Sequence, residues 1–252
     1  FRDILRFVMR HAGGLRIDHV IGLFRLWWIP PGAEAIDGTY VRYDHEALVD
    51  ILCLEAARAG VTLIGEDLGT VEPWVRDVLS DRGIMGTTVL LFERDGHSVH
   101  DPNGWRTECL ASVTVHDLLP TAQYLAGSHI KLWETLGLLK GPIEEALSSQ
   151  ASEVQAWVDF LRSEGLLSPV ETPTPTQITI AMHRLMSRAP SRLLCLSLVD
   201  GVGDLRTQNQ PGTDQEYPNW RVPLTDAEGR PVLIEDLGES ELLRTLVRSL
   251  SR

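Results

Sequence analysis

The apolar positions of this chain fall into two alternating rhythms. Phe1, Ile4, Leu5 and Val8 recur at helical spacing, and the stripe stops before Gly13-Gly14, as a glycine-terminated helix does. Leu15-Arg16-Ile17-Asp18 then reads as a short buried strand that ends in charge. Asp44 is placed to cap a helix with Leu48, Ile51 and Leu52 on one stripe, closed by Gly60. Val61-Thr62-Leu63-Ile64 predicts a second strand, running into Gly65-Glu66-Asp67. Thr70 is the expected cap of a helix carrying Trp74, Val75, Val78 and Leu79. A third strand is expected over Thr87–Phe92 and a fourth over Ala111–Val115, the latter ending in His116-Asp117.

From about residue 120 to 190 the pattern is helical, broken at Glu171-Thr172-Pro173-Thr174-Pro175. Arg192–Leu198 predicts a fifth strand, and a last helix starts near Ser240 after a loop-rich stretch. The segment between Asp18 and Asp44 reads as one long connection. Strands alternating with helices predict parallel α/β architecture: an open sheet, or five-eighths of a (β/α)₈ barrel.

Composition narrows the class of partner. The formal charge is −12 over 252 residues, which argues against nucleic acid or an anionic membrane as main partner. With 43% hydrophobic residues the chain can bury a core, yet no apolar run reaches the length of a membrane span. Cys53, Cys109 and Cys195 are odd in number and lack metal-ligand spacing, the usage of a reduced, cytoplasmic protein. The chain opens on a helical stripe without Met, which reads as the interior of a longer protein.

Candidate chemistry sits at the strand ends. Asp18, Glu66 and Asp117 each stand where an apolar strand meets its following loop, the place where parallel α/β folds put their active sites. Arg16 and Asp18 are two residues apart and share a strand face, so the guanidinium sits where it keeps a nucleophilic carboxylate charged. Retaining glycoside chemistry needs two carboxyl groups about 5–5.5 Å apart, one nucleophilic and one protonated, and separate strand ends on one barrel rim can supply that.

Leu15-Arg16-Ile17-Asp18-His19, Ile64-Gly65-Glu66-Asp67-Leu68-Gly69 and Thr114-Val115-His116-Asp117 resemble blocks of the α-amylase clan that follow barrel strands four, five and seven. Gly22–Pro30, Gly65–Val71, Asn209-Gln210-Pro211-Gly212-Thr213 and Pro218-Asn219-Trp220-Arg221 narrow the likeness to the 4-α-glucanotransferase (amylomaltase) family. The resemblance covers almost the whole chain. It implies a partial TIM (β/α)₈ barrel, roughly strands four to eight, with a helical insertion at about 120–190 between the last two strands and the missing N-terminal part of the same polypeptide as partner.

The resemblance also implies roles. Asp18 matches the nucleophile, Glu66 the general acid/base and Asp117 a third carboxylate that holds sugar hydroxyls. Arg16 and His116 match substrate contacts, with His19, Asp67 and Asn209 toward the acceptor. The implied substrates are maltooligosaccharides and other α-1,4-glucans, with no cofactor and no metal. A hydrolase of the same bond and an inactive carbohydrate-binding remnant are the alternatives. One departure stands out: His116-Asp117-Leu118-Leu119-Pro120 has an extra residue where the family usually places proline directly after His-Asp-Leu.

Other features carry bland expectations. Trp27 and Trp28 beside Ile29-Pro30-Pro31 read as packing, and Trp220 as a residue that pins a loop. His11, His45, His97, His100, His129 and His183 read as solvated or capping, and Asp101 and Glu93-Arg94-Asp95 as solvated loop charge.

Overall fold

The computed structural model describes residues 1–96 and 98–251; His97 and Arg252 lie outside the described residues. The chain divides into two compact units, residues 1–88 with 107–110, and residues 89–106 with 111–252.

The first unit opens with helix α1 (Arg2–Met9) and strand β1 (Gly14–Ile17). The expected long connection is not a loop. It holds a 3-10 turn (Val20–Leu23) and an antiparallel ribbon, β2 (Arg25–Trp28) with β3 (Thr39–Arg42), registered Arg25 to Arg42 and Trp28 to Thr39. Trp27 and Trp28 are exposed on this ribbon rather than packed in a core: their indole N–H groups donate to the Ala35 carbonyl and the Tyr43 hydroxyl. Gly38 is required beneath Trp27, since a Cβ there would overlap the indole ring and crowd the Trp28 carbonyl. The ribbon is tied down by a bidentate Arg25–Glu72 pair at 2.9 and 3.0 Å.

Helix α2 (His45–Ala59) begins as expected, with Asp44 accepting the Ala47 N–H at 3.2 Å and Gly60 in the left-handed conformation at its end. Strand β4 (Thr62–Gly65) pairs parallel with β1, Gly14 to Thr62 through Ile17 to Gly65. Helix α3 (Pro73–Asp81) is preceded by Glu72 with proline at its first turn, so the expected Thr70 cap lies outside the helix. Strand β5 (Gly86–Val89) is shorter than expected because Leu90–Phe92 turns into a 3-10 helix. Met85 N–H donates to the Leu63 carbonyl and Gly65 N–H to the Met85 carbonyl, which brings the start of β5 beside β4.

Leu5, Met9, Val20, Phe24, Val49, Leu52, Val75 and Leu79 form the core of this unit, burying the stripes of α1, α2 and α3 against the strands. β1 itself is half-buried rather than buried.

The second unit begins with a small hairpin, β6 (Arg94–Asp95) with β7 (Ser98–Val99), in a stretch expected to be solvated charge. Its charges are paired: Arg94 with Glu153, and His100 with Asp95 at 3.0 Å. Asp101 accepts the Asn103 N–H at 2.9 Å and caps a 3-10 turn. Strand β8 (Cys109–Ser112) begins and ends earlier than expected, leaving Val113–Asp117 as the segment that carries the chain out of the strand.

The helical stretch is α4 (Thr121–Ala126), α5 (Ser128–Thr135), α6 (Ile143–Ser163) and α7 (Pro175–Met186). The Pro/Thr break works as a cap, because Thr174 and Gln177 satisfy each other's backbone N–H groups at the start of α7. Strand β9 (Leu193–Cys195) is only three residues long; the apolar run continues as helix α8 (Leu198–Val202), not as strand. Helix α9 (Glu241–Leu250) starts where Ser240 accepts the Leu243 N–H at 3.2 Å.

Trp157, Leu161, Met182, Leu185 and Met186 anchor the core of this unit with Leu90, Ala111 and Val113. His129 and His183 are buried, not solvated, because their helix faces turn inward.

Candidate active site

In the first unit, Asp18 and Glu66 are the next residues after the paired ends of β1 and β4, Ile17 and Gly65. Parallel neighbours lie about 4.8 Å apart, so successive residues on the two strands stay side by side. The Glu66 backbone holds the loop that carries Asp18 on both sides. Glu66 N–H donates to the Ile17 carbonyl at 2.9 Å, and Val20 N–H donates to the Glu66 carbonyl at 3.0 Å.

The Glu66 side chain adds to the link: Oε2 accepts the His19 N–H at 3.0 Å and Oε1 the Leu68 N–H at 2.7 Å. Each oxygen keeps a second lone pair for a proton. Gly65 makes the approach feasible, since a Cβ there would meet the Val20 side chain at 3.1 Å.

Arg16 Nη1 contacts Asp18 Oδ1 at 2.7 Å, leaving Oδ2 outside the ion pair, and the Asp18 side chain is 71% exposed. His19 takes φ 44°, a left-handed conformation that costs a non-glycine residue energy and turns its N–H toward Glu66.

Asp67 departs from its expected place at an acceptor hydroxyl. It is 2% exposed, its Oδ1 accepts the Thr87 N–H at 2.9 Å, and Arg76 Nε lies 3.4 Å from Oδ2. Arg76 also donates to the Asp67 carbonyl at 3.2 Å. The residue is a strut that fixes the turn after Glu66.

In the second unit, Asp117 is held by its immediate neighbour and by a distant one. His116 Nε2 lies 3.1 Å from Asp117 Oδ2, and Asn209 Nδ2 donates to Oδ1 at 3.1 Å from 92 positions along the chain. Thr207 Oγ1 donates to the Asn209 carbonyl at 2.7 Å, and the Tyr217 hydroxyl to the Thr207 carbonyl at 2.7 Å.

Trp220 does more than pin a loop. Its backbone N–H donates to the Gln208 carbonyl at 2.8 Å, but the residue is 58% exposed and the ring lies tilted against His116 at 5.3 Å between centroids. It also has a positive φ of 62°. His19 and Trp220 are the two non-glycine residues with positive φ among the described residues; His19 follows Asp18, and Trp220 lies against His116. No cluster of metal-ligating side chains occurs among the described residues, and no helix there is long and apolar enough to cross a membrane.

Enzymes that cleave glycosidic bonds with retention use two neighbouring carboxyl groups, a class that Asp18 and Glu66 on paired strand ends fit. Within that class, this chain belongs to the 4-alpha-glucanotransferase family, glycoside hydrolase family 77, whose profile matches residues 1–228.

The 4-alpha-glucanotransferase of Mycobacterium tuberculosis strain H37Rv is 52% identical over 257 residues, an alignment that takes in 99% of this chain and 35% of that protein. The Haemophilus influenzae 4-alpha-glucanotransferase is 33% identical over 229 residues, covering 87% of this chain and 32% of its own length. The crystal structure of amylomaltase from Corynebacterium glutamicum superposes with a TM-score of 0.89 at 44% identity, over all of this chain and 37% of that one. Amylomaltase from Streptococcus agalactiae in complex with acarbose, at 17% identity and a TM-score of 0.65, shares the fold. The chain therefore spans about a third of the length of the relatives it matches.

Proposed function

We propose that this chain supplies the acid groups of a 4-α-glucanotransferase, which cleaves an α-1,4 bond in one glucan and passes the cut segment to the 4-hydroxyl of another. The observation that carries the reading is the tie between Glu66 and the Asp18 strand end, two carboxyl-bearing residues one step beyond a parallel register pair.

The mechanism is a double displacement. An Asp18 oxygen attacks the anomeric carbon as the bond to the leaving glucan oxygen breaks, and Glu66 gives that oxygen a proton. The acceptor's 4-hydroxyl then loses its proton to Glu66 and attacks the same carbon, which frees Asp18 and restores the original configuration. Arg16 orients the Asp18 carboxylate. Asp117, with His116 and Asn209, holds the hydroxyls of the sugar that is distorted toward an oxocarbenium ion. His19 lies toward the acceptor, and Asp67 keeps the turn after Glu66 in place. Binding and two carboxyl groups suffice, so no cofactor enters.

The architecture we assign is a part of a (β/α)₈ barrel, roughly strands four to eight over residues 1–252 as one catalytic domain, in a cytoplasmic protein whose N-terminal strands come from the same polypeptide. The parallel pairing of β1 with β4, and the parallel bridge from Ile64 to Met85 just before β5, support it. Feeding maltotriose to the full polypeptide tests the activity. Transfer gives glucose and a ladder of oligomers longer than the substrate; products no longer than maltotriose would assign the second step to water.

A further inference from the structure

Asp200, on α8, is a buried carboxylate that the mechanism above does not use; it is 1% exposed. A carboxylate that deep is costly unless its oxygens are matched by donors. Both of its donors come from one residue 79 positions away: Thr121 gives its N–H to Oδ1 at 2.7 Å and its hydroxyl to Oδ2 at 2.6 Å. Short bonds to a charged acceptor are the strong members of their class. Behind the carboxylate, His183 is locked in orientation, with Nδ1 2.8 Å from the Thr179 carbonyl and Nε2 3.8 Å from Asp200 Oδ2. A carbonyl only accepts, so Nδ1 carries the hydrogen.

Thr121 is four residues beyond Asp117, and the chain between them has little freedom. The Leu119 carbonyl accepts from Thr114 Oγ1 at 2.8 Å, and the Leu118 carbonyl lies 3.3 Å from Thr207 Oγ1. Pro120 has its φ fixed by its ring. Thr207 also reaches the carbonyl of Asn209, the residue that donates to Asp117. A shift at Thr121 therefore has no slack segment in which to dissipate before it reaches Asp117.

We infer that Asp200 is a positioning residue for Asp117, fixing the Asp117–Thr121 loop through both donors of Thr121. The inference rests on the role proposed for Asp117. A misplacement of about 1 Å at a group that contacts the reacting sugar costs about a hundredfold in rate. The loss belongs to the chemical step, not to uniform binding, so it falls on kcat rather than on KM.

The test uses the full polypeptide with maltotriose as substrate, with kcat, KM and Tm measured for each variant well below its own unfolding. Asp200→Asn keeps the shape but weakens the acceptor, Thr121→Val removes the hydroxyl alone, and Thr121→Ser keeps both donors. The expected result is a kcat at least tenfold lower for Asp200→Asn and Thr121→Val, KM within about twofold of wild type, and kcat recovered in Thr121→Ser. Should Asp200→Asn fail to fold, Thr121→Val against Thr121→Ser decides alone. A lower Tm with unchanged kcat, or a raised KM with unchanged kcat, would overturn the inference. Asp117→Asn separates the two levels: near-wild-type transfer in that variant removes the role of Asp117 itself, whereas its loss together with an unaffected Thr121→Val removes only the clamp.

Discussion

The two acid-bearing regions are built by opposite means. Around Glu66 the fixing groups are backbone, its own N–H and carbonyl and the N–H groups of His19 and Leu68, and the one side chain on Asp18 is Arg16 from the same strand. Around Asp117 they are side chains, several brought from far along the sequence: His116, Asn209, Thr207 and Tyr217. The first site follows once two parallel strands pair in register. The second depends on individual residues whose removal leaves a polar partner unmet. Mutation is therefore expected to act on chemistry at the first site and on support at the second.

The largest effect is expected where chemistry is removed. Asp18→Asn and Glu66→Gln should each lower maltotriose disproportionation by about a thousandfold or more, with Tm little changed, since general acid–base groups contribute up to about 10⁴-fold. Transfer at near-wild-type rate in Asp18→Asn would mean the nucleophile lies elsewhere. Next comes support. Asn209→Ala takes one donor from Asp117, and a hydrogen bond to a charged group is worth about 1.5–3 kcal/mol, so kcat should fall about ten- to a hundredfold. An unaffected rate would show that the second site does not rely on its distant side chain.

A smaller effect separates backbone strain from side-chain use. His19→Gly and Trp220→Gly relieve a left-handed conformation worth about 1–2 kcal/mol, less the extra freedom glycine gains when unfolded, so each should raise stability by about 0.5 kcal/mol while lowering activity. Chemical denaturation beside the disproportionation assay reads both, and a stability loss in either variant would contradict the strain.

The smallest effect concerns a histidine that neither group of acid residues uses. The Asp95 and Glu93 carboxylates beside His100 hold its imidazole above the usual histidine value of 6.5. Its contribution to stability is thus complete below about pH 6.5 and lost as pH rises through the raised value. An NMR titration of His100 should show a midpoint above 6.5, and one at or below it would disprove the pairing.

The same contrast explains what could be read from sequence. Asp18 and Glu66 each end an apolar run, and strand ends are visible as a change of pattern, so their adjacency could be anticipated from two local signals. The helices α2 and α9 were legible through their caps, Asp44 and Ser240. Trp220 against His116 was not, because the contact joins positions 104 residues apart and a left-handed tryptophan leaves no trace in composition. The β2–β3 ribbon was missed because Trp27-Trp28-Ile29-Pro30-Pro31 does not alternate; its exposed indoles are held by single N–H bonds. Asp67 looked available because its strand-end address is shared with Glu66, and only the fold shows it turned inward to Thr87. In the apolar run from Leu193, strand and helix α8 share one stretch, and hydrophobicity alone cannot divide them.

The use of backbone donors at Glu66 has a consequence for redesign. Every residue but proline offers the same N–H, so the identities of residues 19 and 68 can be varied while the acid's tether stays in place. Leu68→Pro and His19→Pro are the substitutions that sever it. A library randomised at those two positions and selected for activity should therefore lose proline first.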